Sequence, residues 1–196
     1  MLDWLQHIDA QMFHFINDTL KNPVFDWLMP VITNKKNWYP FFALIYIWLL
    51  WKGGKKGRIA ALLTIFVITL SDQISAGLLK SFFARPRPCI ALDDVNMLSR
   101  MKTSFSFPSA HAANSFGAAF FFSYYYRKGA WVFLLLAFLV GYSRVYVGVH
   151  YPFDVLGGAV VGLFCAFVVI GAWNLGVRLY KRMFVKTFNP ESSSNS

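Results

Sequence analysis

Cysteine is scarce in this 196-residue sequence, in which Cys89 and Cys165 are the only two. A disulfide framework and a thiolate metal site both need cysteines at defined spacings, and this pair supplies neither. Cys165 lies in the middle of an apolar stretch and is interpreted as a packing residue, whereas Cys89 lies in a connection between apolar segments. The sequence therefore predicts no disulfide, no metal site and no bound cofactor.

Charged residues are also few, at 14% of the chain, while 57% of residues are hydrophobic and 19% are aromatic. This composition is far from that of soluble proteins and predicts an integral membrane protein. About 20 apolar residues cross the hydrocarbon core as a helix, at about 1.5 Å per residue. Four segments meet that length, and a shorter fifth has Trp and Tyr at its ends, as interfacial anchors do. The five segments are 59–79, 109–126, 130–149, 155–177 and, the short one, 38–51.

The N-terminal 37 residues lack the features of a secretory signal. Acidic Asp3 and Asp9 stand where basic residues are expected, and no apolar run follows. His7 and His14 lie opposite an apolar helical face, which predicts an amphipathic helix in the membrane interface and not a metal site. The apolar face consists of Leu5, Ile8, Met12, Phe15 and Ile16. If residues 5–33 instead cross the bilayer, the chain has six spans, and if they lie flat it has five.

No internal repeat divides the chain, but its composition changes twice. Residues 1–37 form the amphipathic N-terminal segment, residues 38–187 form the transmembrane domain, and residues 188–196 are polar and low in complexity. A tail of that composition is expected to be disordered. The expected fold class is an all-α membrane helix bundle of five or six spans.

The formal net charge of +10 follows from membrane topology. Basic residues fill alternate connections and follow the last span, and the positive-inside rule assigns that face to the cytoplasm. No nucleic-acid partner is therefore predicted. The basic residues concerned are Lys52, Lys55, Lys56, Arg58, Arg127, Lys128, Arg178, Lys181, Arg182 and Lys186.

Three motifs lie at the opposite ends of the spans, on the face predicted to be extracytoplasmic. They read K-x6-R-P, P-S-A-H and S-R-x5-H-x3-D, and they occupy residues 80–88, 108–111 and 143–154. Lys and Arg side chains supply positive charge for phosphate oxygens. A helix that opens after the proline of the second motif directs free backbone N–H groups at an anion. The motifs together predict a phosphate-handling site.

His150 and Asp154 are the residues of the third motif best placed for chemistry. They are four positions apart around Pro152, a residue that suits the first turn of a helix. The Asp154 carboxylate can then hold one ring nitrogen and leave the other as a nucleophile. Taken alone, His150 could equally be a boundary residue that bonds a neighbour.

The three motifs in this order resemble the type 2 phosphatidic acid phosphatase superfamily over about residues 72–168. The resemblance implies that His150 attacks phosphorus to form a phosphohistidine, that Asp154 orients His150, and that His111 acts as general acid and then general base. It implies a phosphate-binding set made up of Lys80, Arg87, Ser109, Ala110 and Arg144. Positions expected to support this set are Ser143, Pro88 and Asp72, with no role derived for Asp72.

Two members of that phosphate-binding set have simpler readings, and a third departs from the family pattern. In the simpler interpretation, Lys80 is a residue at a helix end whose side chain extends to the membrane surface, and Ser109 is no more than a helix cap. The family motif reads P-S-G-H, so Ala110 adds a methyl group where the backbone is expected to approach the phosphate. Ala costs little in ordinary helical or extended backbone, whereas a positive φ would add about 1–2 kcal/mol of strain.

The resemblance implies metal-independent hydrolysis of a phosphate or diphosphate group on a membrane lipid. Undecaprenyl diphosphate is the expected substrate, at a site facing outward from a bacterial inner membrane. Lipid A phosphatases and phosphatidylglycerophosphate phosphatases carry the same motifs and are alternatives. A non-catalytic protein that binds lipid phosphates is the alternative of another class, and the two motif histidines argue against it. The vanadium haloperoxidases of the superfamily are soluble proteins, so the apolar spans of this chain argue against that function. The sequence leaves the oligomeric state open.

Overall fold

The computed structural model describes residues 2–188, with side chains for residues 4–183. Helices make up 81% of the described residues, and no strand occurs among them. The tail predicted to be disordered is residues 188–196. Phe188 is the last residue of the last helix, and the other residues of the tail lie outside the described residues. The helices are α1 (Leu2–His14), α2 (Pro23–Thr33), α3 (Lys35–Trp51), α4 (Gly54–Asp72), α5 (Lys80–Phe83), α6 (Pro88–Ala91), α7 (Ala110–Tyr125), α8 (Ala130–Tyr146) and α9 (Pro152–Phe188). Two π-helical stretches, Phe15–Thr19 and Gln73–Leu79, follow α1 and α4.

In the part of the chain that the structure describes, three helical stretches are long and apolar enough to cross a membrane. They are Gly54–Ala91, Arg127–Tyr146 and Pro152–Met183. Helices α3 and α7 have 17 and 16 residues, which correspond to about 24–26 Å of helix. The all-helical architecture and its apolar helices are as expected, whereas the number of spans, five or six, and the membrane side of the site stay predictions.

Helices α4, α7 and α9 form the centre of the bundle. Small residues bring α7 and α9 together, because a Cβ on Gly162 would lie only 2.2 Å from the carbonyl oxygen of Ala113. The two backbones therefore touch, as membrane helices do where glycine faces a neighbour. The buried cluster that these three helices share consists of Ala60, Val67, Phe121, Ala166 and Ile170.

The N-terminal helix α1 packs on the protein through a face other than the apolar face that was predicted to lie in the membrane interface. Three apolar positions of the predicted face are exposed, namely Leu5, Met12 and Phe15. The fully buried positions of α1 and the π-helical turn after it are Asp9, Phe13 and Asn17. Phe13 packs with Val145 and Tyr151, beside the start of α9. The interfacial location of this segment and its boundary at residue 37 stay predictions.

The long connection between α6 and α7 is fixed to the N-terminal segment. The Asn17 amide nitrogen donates to the carbonyl oxygens of Asn96, at 3.0 Å, and of Tyr146, at 2.7 Å. The Asn96 N–H donates back to the Asn17 side chain at 2.9 Å. These hydrogen bonds hold the connection over the end of α8, where the three motifs meet.

Candidate active site

His150 lies in the turn between α8 and α9, and Asp154 lies in the first turn of α9. The turn uses Gly148 at a φ of +84°, and Pro152 begins the helix. Asp154 Oδ2 accepts the N–H of Tyr151 at 2.9 Å and lies 3.3 Å from Nδ1 of His150. His150 is 2% exposed and Asp154 is fully buried, so water competes little for this contact.

Arg87 is fully engaged with protein acceptors. Its Nε donates to the carbonyl oxygen of Ser104 at 2.6 Å, and Nη2 donates to Ser104 Oγ at 3.0 Å and to the Phe105 carbonyl oxygen at 3.1 Å. Its Nη1 donates to the Val149 carbonyl oxygen at 2.7 Å and lies 3.1 Å from His150 Nε2. Arginine is a donor only, so His150 Nε2 accepts this bond and the ring proton is on Nδ1. The lone pair on Nε2 is therefore engaged by Arg87, and Nε2 can act as a nucleophile only when this hydrogen bond is released.

Arg144 differs from Arg87 in having unused donors. It is 2% exposed, and its Nη1 donates to the hydroxyl of Thr33. Its Nε and Nη2 have no hydrogen-bond partner in the described part of the chain. A buried guanidinium with unsatisfied N–H groups is costly unless an anion completes it. Arg144 therefore has free N–H groups that can donate to a phosphate, whereas a phosphate must displace a protein acceptor before it can bind Arg87.

The electrostatic environment of His150 is strongly positive. Burial lowers the pKa of His150 well below its ordinary value, and the positive charges of Arg144, Arg87, Lys80 and Lys102 lower it further. The imidazole is therefore neutral at physiological pH. Lys80 is half-buried at the start of α5, while Lys102 belongs to the connection before α7. No sequence motif includes Lys102, because it lies between the first two motifs in an irregular stretch.

The second motif forms the beginning of α7. Ser109 is its N-cap: the Ser109 side chain accepts an N–H of the first turn at 3.4 Å, and the Ser109 N–H donates to the Asp154 carbonyl oxygen at 2.9 Å. Ala110 is the first residue of α7, and its φ is not positive. The methyl group of Ala110 therefore brings no backbone strain. His111 follows in the same turn and is partly exposed.

Two charged residues without a predicted role complete the surroundings of Asp154. Arg85 Nη1 donates to Asp154 Oδ1 at 2.9 Å, and Arg85 Nη2 lies 2.7 Å from Asp9 Oδ2. Asp9 Oδ1 accepts the N–H of Phe153 at 2.8 Å. The Arg85 guanidinium also lies 4.0 Å from the centre of the Tyr151 ring. In the sequence, Arg85 is a basic residue inside the first motif and Asp9 is an acidic residue on the predicted amphipathic helix. Neither position indicates that the two residues form an ion pair.

The three positions predicted to support the phosphate-binding set, Ser143, Pro88 and Asp72, differ in their surroundings. The Ser143 hydroxyl donates to the Val140 carbonyl oxygen of its own helix at 2.7 Å, so its proton is not directed at a phosphate. Pro88 is buried as the first residue of α6. Asp72 is exposed, and its carboxylate accepts a 3.4 Å hydrogen bond from Asn114.

Comparisons with known proteins show what this chain is similar to. The PAP2 superfamily profile matches residues 60–176. The lipid A 4′-phosphatase of Bacteroides thetaiotaomicron is 37% identical over 176 residues, covering 84% of this chain and 76% of that protein. Undecaprenyl-diphosphatase BcrC of Bacillus subtilis is 31% identical over 147 residues, covering 75% and 74%. The crystal structure of Aquifex aeolicus LpxE superposes with a TM-score of 0.71 at 30% identity, covering 83% of this chain and 94% of LpxE.

Proposed function

This chain belongs to the PAP2 superfamily, and we propose that it is a membrane lipid phosphatase that works through a phosphohistidine on His150. The observation that carries the proposal is the state of the His150 ring. Its Nδ1 faces the Asp154 carboxylate at 3.3 Å and its Nε2 accepts from Arg87 at 3.1 Å. The ring is thereby neutral and oriented, and Nε2 becomes the nucleophile when a phosphate oxygen replaces it as the acceptor of the Arg87 hydrogen bond.

In the first half-reaction, His150 Nε2 forms a bond to phosphorus while the bond from phosphorus to the leaving oxygen breaks. The leaving oxygen belongs to the lipid or, for a diphosphate, to its inner phosphate. His111 donates a proton to that oxygen as general acid. The imidazole becomes positively charged, and the Asp154 carboxylate at Nδ1 stabilises that charge.

In the second half-reaction, a water molecule attacks the phosphohistidine. His111, now neutral, takes a proton from the water, and the bond between phosphorus and Nε2 breaks to release inorganic phosphate. His150 regains its lone pair and His111 regains its proton, so the enzyme returns to its initial state.

The cations around His150 support a mechanism that needs no metal ion. Charge on the equatorial oxygens of the five-coordinate transition state requires several fixed donors. The open Nε and Nη2 of Arg144 supply two of them. Lys80 adds a positive charge, and Arg87 adds another when a phosphate oxygen displaces one of its present acceptors. These groups take the place of the metal ions of two-metal phosphatases.

We place the site on the extracytoplasmic side of the bacterial inner membrane. The basis is the clustering of basic residues in the connections at the other end of the helices. A substrate whose phosphate lies in the outer leaflet then reaches His150 without crossing the membrane.

Two lipid substrates are supported by different observations. The sequence motifs on a small chain favour undecaprenyl diphosphate, and relatives with that activity cover three quarters of this chain. The 37% identity to a lipid A 4′-phosphatase over 84% of the chain favours a phosphomonoester of lipid A. Both substrates carry a terminal phosphate on a membrane lipid, so the proposed chemistry at His150 is the same.

The test is phosphate release by detergent-purified protein in the presence of EDTA. The panel contains undecaprenyl diphosphate, lipid A, phosphatidylglycerophosphate and phosphatidic acid. We expect release from at least one lipid, with the fastest lipid identifying the substrate class. Loss of release on adding EDTA would contradict metal independence.

Two histidine variants make the test specific. His150→Ala should abolish turnover while phosphate still binds to the arginines and lysines. The matched control is His7→Ala, because His7 lies on α1 and bonds Gln11 at 3.0 Å, away from the motifs. Equal loss in both variants, or no loss in His150→Ala, would contradict the role of His150. A protein that binds lipid phosphate without release from any lipid would support the non-catalytic alternative.

A further inference from the structure

We propose that Asp9, in the N-terminal helix, is a positioning residue that keeps Asp154 effective as the partner of His150. The inference rests on the proposed function, since it concerns the same nucleophile. Asp9 lies outside residues 60–176, the part of the chain that the PAP2 profile matches. The argument depends on the contacts of Arg85, which lies between the two carboxylates.

Arg85 bridges Asp9 and Asp154 within ion-pair distance. Its Nη2 lies 2.7 Å from Asp9 Oδ2 and its Nη1 lies 2.9 Å from Asp154 Oδ1. Both carboxylates are fully buried, and the Arg85 side chain is 21% exposed. The other oxygen of Asp154 faces Nδ1 of His150. Four charged or titratable groups therefore form one chain, Asp9, Arg85, Asp154 and His150.

The charge balance of this chain gives Asp9 its role. If Arg85 and Asp154 were alone, the guanidinium would neutralise the carboxylate that must stabilise a positively charged His150. With Asp9 present, one guanidinium is shared between two carboxylates, and the group keeps a net charge of −1. In a buried environment such a difference acts strongly on the neighbouring imidazole. Asp9 thus acts through Arg85 and Asp154 without touching the substrate.

A purely structural role for Asp9 makes a different prediction. Asp9 Oδ1 also accepts the N–H of Phe153 at 2.8 Å and so fixes α1 to the start of α9. If this is all that Asp9 does, removing its charge while keeping an oxygen acceptor should change little. Removing Arg85 as well should never restore activity.

A double-mutant cycle separates the two roles. In the full-length protein, Asp9→Asn keeps an oxygen for Phe153 but leaves the group neutral, so we expect kcat to fall by about 10- to 100-fold, with KM changed by less than about threefold. Arg85→Gln leaves two uncompensated buried carboxylates and should also lower kcat. The double variant Asp9→Asn with Arg85→Gln again leaves one negative charge. We expect it to be at least about fivefold faster than Asp9→Asn.

The controls address folding and chemistry separately. Asp18→Asn makes the same chemical change in the same N-terminal segment, at a partly exposed carboxylate paired with His14 at 2.9 Å, and kcat should stay within about twofold of wild type. Asp9→Glu keeps the charge and should retain most of the activity. If Asp9→Asn does not fold, the comparison uses Arg85→Gln against the double variant and Asp9→Glu against wild type.

The kinetic cycle uses the lipid of the panel that the wild type hydrolyses fastest. A parallel cycle uses orthovanadate, a phosphate analogue that an imidazole nitrogen can bind, with its dissociation constant measured by vanadium NMR. Asp9→Asn should weaken vanadate binding, and the double variant should restore it. If the wild type hydrolyses no lipid, the proposed phosphatase activity fails while the vanadate cycle still decides the role of Asp9.

Two outcomes would overturn the inference. One is a kcat or vanadate affinity of Asp9→Asn within about twofold of wild type. The other is a double variant no better than the poorer single variant, because additive losses indicate that Asp9 only fixes α1 to α9.

Discussion

Replacing Arg87 with lysine tests whether this residue holds the site together. The Arg87 guanidinium makes its contacts with five acceptor atoms, two on Ser104 and one each on Phe105, Val149 and His150. Lysine keeps the positive charge but has only three N–H donors, all on one nitrogen. At least two acceptors therefore lose their partner. The acceptors on Val149 and His150 are buried, whereas Ser104 and Phe105 are exposed residues, so the cost arises when the two buried acceptors are the ones left unpaired.

The magnitude follows from the cost of those unpaired groups. A buried polar atom left without its hydrogen bond costs about 1–3 kcal/mol. Two such atoms predict that Arg87→Lys lowers the free energy of unfolding by about 2–6 kcal/mol, with kcat reduced because the Nε2 of His150 and the connection at Ser104 lose their anchor.

The assay is denaturant unfolding of the purified protein in detergent micelles, followed by tryptophan fluorescence, together with phosphate release. The matched control is Arg100→Lys, an exposed arginine in the same connection, which should change stability by less than about 0.5 kcal/mol. A stability for Arg87→Lys equal to that of Arg100→Lys would refute the reasoning, because it would mean that the charge alone is what Arg87 supplies.

Four further predictions concern packing, backbone and pH. Gly162→Ala should destabilise the protein by about 1–3 kcal/mol in the same unfolding assay, because its Cβ would meet Ala113 at 2.2 Å; Gly171→Ala, with nothing within 4 Å, is the control. Ala110→Gly should leave the rate of phosphate release within about twofold of wild type, because the position needs no positive φ; a large gain would contradict this. The lowered pKa of His150 means that the unfolded state binds more protons below about pH 6.5, so stability should fall as pH drops through that value. His150→Gln should flatten this dependence, and an unchanged slope would contradict it. Activity should fall as pH rises and the substrate-bound His111 loses the proton that it donates as general acid, and a flat profile between about pH 5 and 9 would count against that role of His111.

Local spacing predicted the parts of the site that neighbouring residues form. The approach of Asp154 to His150 depends on four positions around Pro152, and the cap at Ser109 depends on the start of one helix. The helical class followed from the length and apolar composition of the segments. These features depend on short-range geometry, which a single sequence contains.

The contacts that the sequence left unpredicted are long-range or depend on the membrane. Asp9 reaches Phe153 across 144 positions, and no pattern in either segment specifies that contact. The apolar face of α1 was predicted to lie in the membrane interface, but the face that packs on the protein, with Asp9, Phe13 and Asn17, was not predicted, because in a helix beside lipid polar residues can face the protein. Ser143 bonds its own helix because a hydroxyl can reach the carbonyl oxygen three residues earlier.

The most direct test of the central claim is to look for phosphate on His150 during turnover. The protein is mixed with the preferred lipid labelled with ³²P in its terminal phosphate, quenched in alkali within milliseconds and digested for peptide mapping. We predict an alkali-stable, acid-labile label on the peptide that contains His150, and no label in His150→Ala. Steady hydrolysis without any label on that peptide, together with full activity of His150→Ala, would contradict the account.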